Sequence, residues 1–204
     1  MSAPYSPSIA ESSYPTGMAR TLNRSEPLRR SDQIDIRVTE GNVSLEGWNR
    51  EEIVINARLI APTASVLESM DVKIERSENR TIVREEFGTE RPPGCRIDLM
   101  VRMPEQLREW AVSLINGRIF CRHLSGNFSL DVVNGNVNVY DVSGAGRISS
   151  VNGDLVGHLT AVQHPDRLEL VDTNGNLVLR LNRSAFVPPS SRVGGTAARQ
   201  APLS

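Results

Sequence analysis

The sequence predicts an all-β fold, a short-repeat β-solenoid or roll with about 18 residues per coil, and two observations lead to it. In the second half of the chain, Asn-Gly and Ser-Gly pairs alternate at nine-residue intervals, so like pairs recur every 18 residues. Elsewhere, apolar residues occupy alternate positions, which places them on one face of a strand. Gly accepts positive φ without steric cost and Asn tolerates it, so these pairs predict corners.

The composition divides the 204 residues into a single domain with two tails. Residues 1–32 and 188–204 are rich in small, polar and Pro residues without periodicity, which predicts disordered tails. Residues 33–187 form the all-β domain, with irregular leading strands over 33–105 and the repeat region over 106–187.

The leading part alternates apolar and polar residues, as in Ile34, Ile36 and Val38, and therefore predicts strands. One short helix is predicted over about residues 62–70, where Thr63 or Ser65 would cap the first turn.

The repeat region is defined by its corners. They are Asn116-Gly117, Ser125-Gly126, Asn134-Gly135, Ser143-Gly144, Asn152-Gly153 and, after an insertion of four residues, Asn174-Gly175. The insertion is predicted near residues 163–166, because Pro165 cannot donate a ladder hydrogen bond.

Between corners, the apolar positions favour a solenoid. Counted from the Asn or Ser, positions four and six are mostly apolar and share a strand face, whereas position nine is apolar with the opposite parity. A bend at positions seven and eight would bury position nine as well. An antiparallel meander of two-residue hairpins stays open as the alternative. A calcium-binding roll is excluded, because the Asp residues occupy different repeat positions. They are Asp131, Asp141 and Asp154.

The corner residues themselves are interpreted as turn formers. A ladder along one edge could be formed by Asn116, Asn134, Asn152 and Asn174. The conformational role of Asn in turns explains these residues, and a polar binding edge is the functional alternative. Gly144 and Gly146 are interpreted together as a tight corner.

No residue is assigned a catalytic, cofactor-binding or metal-binding role, and no cofactor is expected. His123, His158 and His164 lie at unrelated positions and are predicted to be solvated surface residues. Cys95 and Cys121 have no CxxC spacing and are predicted to be small core residues, with their redox state left open.

The two tryptophans are both given structural roles. Trp110 falls at position four when the repeat is extended backwards, so it is predicted in the core. Trp48 follows Gly47 at a strand end and is predicted to be partly exposed.

Charge and hydropathy limit the partners and the compartment. The net charge of -1 gives no general attraction to nucleic acid or anionic membranes. No apolar run approaches the ~20 residues that a membrane-spanning helix needs. The N-terminal sequence lacks the pattern of a secretory signal. A cytoplasmic location is therefore expected, with envelope association through a partner left open.

The repeat region resembles the adhesin-like, toastrack-type family of bacterial β-solenoid domains. The resemblance rests on the Met103-Pro104 step followed by Ile115-Asn116-Gly117, Val133-Asn134-Gly135 and Val151-Asn152-Gly153. It covers roughly residues 34–185. It implies a β-solenoid without shared catalytic residues, and a domain that binds a glycan or an envelope component.

Two functions follow as hypotheses. The first is a non-enzymatic structural or interaction module, a rigid β platform that binds a protein partner or associates with itself. The alternative is the adhesin-like domain that the resemblance implies.

Overall fold

A computed structural model describes residues 17–88, 91–161 and 168–181. These residues form one short helix, α1 (Ala64–Ser69), and a large mixed sheet that is not closed, so the all-β prediction is confirmed. The strands are β1 (Met18–Pro27), β2 (Gln33–Trp48), β3 (Glu52–Ala61), β4 (Met70–Ser77), β5 (Arg80–Phe87), β6 (Arg96–Pro104), β7 (Gln106–Ser143), β8 (Gly146–Asn152), β9 (Leu155–Ala161), β10 (Leu168–Asn174) and β11 (Leu177–Leu181).

Strand β2 joins the leading part to the repeat region. It pairs in parallel with β5 through its first half and with β6 through its second half. On its other side it pairs in parallel with β7. Beyond these neighbours, β6–β3–β1 and β5–β4 continue antiparallel. The leading strands therefore extend two separate halves of the sheet away from the repeat region.

Pairing within the repeat region is parallel. Phe128 of β7 lies opposite Gly146 of β8, and Gly146 lies opposite Leu168 of β10. The offset is thus 18 residues at first and 22 residues later, as it is between the corner asparagines. The increase falls between Ala161 and Leu168; the predicted insertion at 163–166 lies outside the described residues. A meander of hairpins would instead require antiparallel pairs.

Helix α1 begins where the sequence predicts. Thr63 is the N-cap, and its Oγ1 accepts a hydrogen bond from the N–H of Val66 at 3.4 Å. The cap is therefore Thr63 rather than Ser65.

The prediction of a disordered tail over residues 1–32 is wrong for Met18–Pro27, which form β1. This strand pairs along its whole length with β3, and Arg24 lies 3.1 Å from Asp71. Most of its side chains are exposed, so backbone pairing rather than an apolar face holds it, and the sequence shows no alternation there. Residues 1–16 and the predicted tail 188–204 lie outside the described residues.

The core of the repeat region consists of columns of side chains from successive strands. Trp110 is buried, as predicted, and its ring stacks on Phe128 at 5.1 Å. Gly146 comes next in this column, where a Cβ would lie 2.6 Å from the Phe128 ring. The interpretation of Gly146 as a corner residue is wrong, because it lies in β8; Gly144, with φ 121°, is the corner.

Both cysteines lie in the core, as predicted, and neither forms a disulfide. Burial raises the pKa of the Cys121 thiol far above its usual range, and it also raises the pKa of Cys95. Since the thiolate is the reactive form, burial and the raised pKa both lower the reactivity of these thiols in the folded protein.

Candidate docking surface

The two corner types place the residue before them on opposite sides of the sheet. Before Ser-Gly corners, Leu124 and Val142 are buried, with 1% and 0% exposure. Before Asn-Gly corners, Ile115, Val133 and Val151 are 46%, 41% and 38% exposed. The prediction that position nine is buried is therefore correct at the Ser-Gly corners and wrong at the Asn-Gly corners.

The cause is the backbone conformation of position eight. His123 and Asp141, which precede Leu124 and Val142, have φ of 54° and 52°. This left-handed conformation reverses the alternation, so the next side chain points inwards. Asp and His adopt it more readily than most residues do. At the Asn-Gly corners, position eight is instead an inward-facing strand residue, and alternation sends position nine outwards. These inward residues are Leu114, Val132 and Ser150.

Ile115, Val133 and Val151 together form an exposed apolar stripe. Their corners lie on neighbouring strands of the parallel pairing, which are spaced by about 4.8 Å. A contiguous patch of large apolar side chains on a surface is a common mark of an interaction site, whereas scattered single residues are not.

A trough of about 430 Å³ runs beside the stripe. Its lining includes the short side chains of Ser113, Asp131 and Ser149, which face outwards from the strands next to the stripe. At the β2 end the trough is bounded by Arg84 and Glu85 of β5. The trough exists because short residues lie between the stripe and these longer side chains.

A ladder of amides lies directly beside the stripe. Asn134 donates to Oδ1 of Asn116 at 2.9 Å, Asn152 donates to Asn134 at 2.8 Å, and Asn174 donates to Asn152 at 3.0 Å. The asparagines therefore connect successive corners as well as turning the chain. They give the stripe a polar and uncharged border.

Glu85 has an unpaired oxygen at the end of the trough. Its Oε1 accepts hydrogen bonds from the Thr39 N–H at 3.2 Å and from Arg91 at 2.9 Å. Its Oε2 is buried and has no hydrogen-bond partner among the described residues. A buried carboxylate oxygen without a donor is costly, but this one is closed off from solvent and therefore from a ligand in the trough. The carboxylate is paired with Arg91 at 2.9 Å.

A second exposed feature, an aromatic pair, lies on the half of the sheet opposite to the apolar stripe. The rings of Phe120 and Tyr140 lie 5.5 Å apart with an angle of 38° between them, and Tyr140 is 43% exposed. Arg122 beside them lies 2.6 Å from Glu46.

The histidines within the described residues are surface residues, as predicted. Nε2 of His123 lies 3.4 Å from Asp141, and Nδ1 of His158 lies 3.7 Å from the same carboxylate. His164 lies outside the described residues. Within the described ranges, no three or more His, Cys, Asp or Glu side chains are grouped to hold a metal ion.

Trp48 is half-buried at the end of β2, as predicted. Its Nε1 donates to the carbonyl of Glu52 at 2.9 Å, and the Arg50 guanidinium lies 5.0 Å from the ring centroid. These contacts hold the strand end in place.

Comparisons with known proteins show what this chain is similar to. No protein-family model matches the chain, and no curated protein sequence matches it. Among solved structures, it is similar to a candidate cell adhesion protein from Clostridium sporogenes, with 11% identity, a TM-score of 0.38, and coverage of 78% of this chain and 73% of that one.

Two further structures are similar over more of the chain, each covering 87% of this chain and 95% of the other. One is a candidate adhesin from Parabacteroides merdae, with 9% identity and a TM-score of 0.35. The other is a candidate lipid binding protein from Parabacteroides distasonis, with 11% identity and a TM-score of 0.27. The first two of these names agree with the adhesin-like resemblance of the sequence. At such identities and TM-scores, the likeness says nothing about what this chain binds.

Across the part of the chain that the structure describes, no helix has the length and apolar character needed to cross a membrane.

Proposed function

We propose that this protein is a non-enzymatic interaction module, a rigid β platform that docks a protein partner or a second copy through the apolar stripe. The observation that carries the proposal is the exposure of Ile115, Val133 and Val151 on neighbouring strands, beside a trough. Removing apolar surface from water is worth roughly 25 cal/mol per Å², so covering such a stripe provides a driving force for association. The polar border of asparagines would then form the rim of the interface.

The proposed rigidity comes from the architecture of the repeat region. We propose that residues 106–187 form a β-solenoid with 18-residue coils, enlarged once to 22 residues. The parallel register supports this, and so do the close contacts between successive corner glycines. A Cβ on Gly135 would lie 1.6 Å from the carbonyl oxygen of Gly117, so the backbones of these corners touch.

The domain limits and the location also stay proposals. Residues 33–187 would make up a single domain that β1 extends at its N-terminal side, and residues 182–187 lie outside the described part. The cytoplasmic location stays a prediction from the sequence. With a net charge of -1, nucleic acid is not among the proposed partners.

Site-specific crosslinking tests the stripe directly. Because Cys95 and Cys121 are buried and poorly reactive, a Val133→Cys variant can be labelled selectively with a photoreactive thiol reagent. Met100→Cys is the matched control, since Met100 is 57% exposed on β6, away from the stripe. Both variants are irradiated in an extract of the native cell, and the adducts are identified by mass spectrometry.

We expect a discrete adduct from position 133, either with one protein or with a second copy. That adduct should disappear when Ile115→Ser and Val151→Ser are added, and it should not form from position 100. The proposal is wrong if both positions give the same products, or if position 133 gives none.

The exposed aromatic pair supports the alternative function, which is binding of a glycan or an envelope component. An exposed Tyr140 beside Phe120, with the charged groups of Arg122 and Glu46 close by, combines an apolar platform with hydrogen-bonding groups, as recognition of a sugar ring requires. A glycan or an envelope component would then bind on this opposite face. A glycan array probed with the wild-type protein, Tyr140→Ser and Val133→Ser distinguishes binding at the aromatic pair from binding at the apolar stripe. The alternative is supported if Tyr140→Ser abolishes binding and Val133→Ser does not. It is contradicted if the array shows no binding.

A further inference from the structure

We infer that Asn174-Gly175 is a site of self-modification, at which the Asp172 carboxylate promotes cyclisation of Asn174 onto the backbone nitrogen of Gly175 with loss of ammonia. This site is separate from the apolar stripe and does not depend on its docking function. Three properties of the last described Asn-Gly corner support it: the carboxylate beside it, the single hydrogen bond that holds its amide, and its position at the end of the stack. All the reacting groups except water belong to the chain, so no ligand has to reach a buried atom.

The reaction needs only the two residues of the corner, a base and water. The Gly175 nitrogen forms a bond to Cγ of Asn174, and the bond from Cγ to Nδ2 breaks. The proton of the Gly175 N–H passes to the Asp172 carboxylate, which returns it to the departing nitrogen, so that ammonia leaves. Water then opens the succinimide ring at either carbonyl, which gives Asp or isoaspartate at position 174. Either product loses the Nδ2 donor to Asn152 and gives this end of the asparagine ladder a negative charge.

The carboxylate of Asp172 distinguishes this corner from the other Asn-Gly corners. A Cβ on Gly175 would lie 2.9 Å from Oδ2 of Asp172, so the carboxylate lies beside the residue that carries the attacking nitrogen. At Gly117, Gly135 and Gly153, the three atoms nearest to such a Cβ include no carboxylate oxygen. The residues that take the place of Asp172 at these corners have no ionisable carboxyl; they are Leu114, Val132 and Ser150.

Asp172 is also suited to act as a base. It is 5% exposed, and its Oδ1 has no hydrogen-bond partner among the described residues. Burial raises its pKa, the N–H groups of Thr173 and Asn174 oppose this rise, and the charge of Asp154 adds to it. A carboxylate with a raised pKa is a stronger base than an ordinary Asp. Because a buried oxygen without a donor is unfavourable, packing does not account for an Asp at this position.

The amide of Asn174 is held less firmly than the amides inside the ladder. Its Nδ2 donates to Asn152 at 3.0 Å, but its Oδ1 accepts from no described residue. Asn134 and Asn152 each donate one ladder hydrogen bond and accept another. Cyclisation turns the carboxamide towards the main chain and therefore breaks one of these bonds at Asn174 and two at each inner asparagine. Asn116 also has a single ladder bond but has no carboxylate at the position of Asp172, so it separates the two effects.

The backbone at the last corner has room for the product. Among the described residues, Gly175 has a neighbouring corner only at Gly153, whereas Gly135 lies between the corners of Gly117 and Gly153. The three earlier glycines have φ between 143° and 148°, and φ of Gly175 lies outside this left-handed region. Isoaspartate adds one atom to the main chain, which a corner stacked on both sides cannot accept. Asn174 and Gly175 are exposed, so water has access to the ring.

Rates at the four corners can be compared within one protein. The full chain is incubated in water enriched in heavy oxygen, which labels each residue whose succinimide opens during the incubation. Peptide mass spectrometry then gives the rate at each corner and distinguishes Asp from isoaspartate. The same chain in concentrated urea is the reference for sequence effects, because the corners do not stack there. Asp172→Asn and Asp172→Ser remove the base, and Ser is the residue at the equivalent position 150.

We expect Asn174 in the folded chain to react at least about tenfold faster at about pH 6 than Asn116, Asn134 or Asn152, and within about threefold of them in urea. Both Asp172 variants should lower the rate at Asn174 at least about tenfold in the folded chain and leave it unchanged in urea. Between about pH 5 and 7 the wild-type rate at Asn174 should change little, because Asp172 and not hydroxide takes the proton. In the variants it should rise in proportion to hydroxide, a change that a merely structural effect would not produce.

The inference is overturned if Asn174 reacts no faster than Asn116 in the folded chain, if both variants keep the wild-type rate, or if the wild-type rate follows hydroxide. The comparison of corners and the pH profile of the wild type need no variant. They still decide the question if a variant fails to fold.

Discussion

The Asn-Gly edge and the Ser-Gly edge of the repeat region share one nine-residue spacing, yet one edge exposes its apolar residues and the other buries them. Val133 and Val142 are the same residue type at the same repeat position, and they are 41% and 0% exposed. The difference comes from the residue before each of them: Val132 continues the strand, whereas Asp141 has φ of 52°.

This comparison shows that a repeat can contain two surfaces of different character. The Ser-Gly edge uses its apolar residues to enlarge the core. The Asn-Gly edge keeps the strand alternation intact, so its apolar residues stay exposed. A single backbone torsion per corner is enough to separate a buried position from an exposed one.

The largest expected effect concerns the corner glycines. A Cβ at Gly135, where φ is 145°, would lie 1.6 Å from a backbone oxygen of the neighbouring corner. We expect Gly135→Ala to cost more than about 4 kcal/mol or to prevent folding, measured by chemical denaturation. Gly94→Ala is the control, because φ there is 78° but no atom lies within 4 Å. It should cost about 1–2 kcal/mol, and equal costs would mean that the contact between corners is unimportant.

The next effect compares the two edges at position nine. Val142→Asp places an unpaired carboxylate in the core and should lower the free energy of unfolding by about 3 kcal/mol or more. Val133→Asp places it in solvent and should change the free energy by less than about 0.5 kcal/mol. Thermal unfolding of both variants measures the difference. Similar losses would contradict the assignment of opposite faces.

A smaller effect is expected at the torsion itself. Asp141→Val puts a β-branched residue into the left-handed conformation and should cost about 2 kcal/mol. Asp141→Asn removes the charge near His123 and His158 but tolerates the torsion, and exposed pairs of this kind contribute little. Its cost should stay below about 0.5 kcal/mol. If Asn costs as much as Val, the contacts of the carboxylate and not the torsion determine this corner.

The smallest effect concerns the inward residue of the last described Asn-Gly corner. Burial raises the pKa of Asp172, and one of its oxygens has no partner among the described residues. Its native state holds a proton to higher pH than the unfolded chain does, so stability falls as pH rises through and above the usual Asp pKa of about 3.9. Asp172→Asn should therefore be more stable than wild type at pH 7, and the gain should shrink below about pH 4. A gain independent of pH would exclude this cause.

Much of the fold is contained in local sequence patterns. Alternation predicts the leading strands, the corner pairs predict the register of the repeat, and the extended register places Trp110 in the core. The conformations at these sites depend mainly on near neighbours, as with Thr63 at the start of α1. Position eight carries only a partial signal: it is His or Asp at the Ser-Gly corners and apolar or Ser at the first three Asn-Gly corners, but Asp172 occupies it at the last one.

The remaining features depend on contacts between distant parts of the chain. Strand β1 has few apolar residues and is held by its pairing with β3, which no local pattern reveals. The trough requires β5 to pair with the first half of β2, and this brings Glu85 beside Thr39 from 46 residues away. The individual residues of the site are ordinary in sequence, and only the topology brings them together.

The change in offset from 18 to 22 residues has a practical consequence for engineering. The chain already accommodates four additional residues between Ala161 and Leu168 while its strands on either side stay in register. The residues that flank this interval pair next to a Ser-Gly corner: Ala161 lies opposite Ser143, and Leu168 lies opposite Gly146. We expect a fluorescent protein or an affinity tag inserted there to leave the strand pairing and the proposed docking surface intact, so this interval is a suitable position for a reporter of binding.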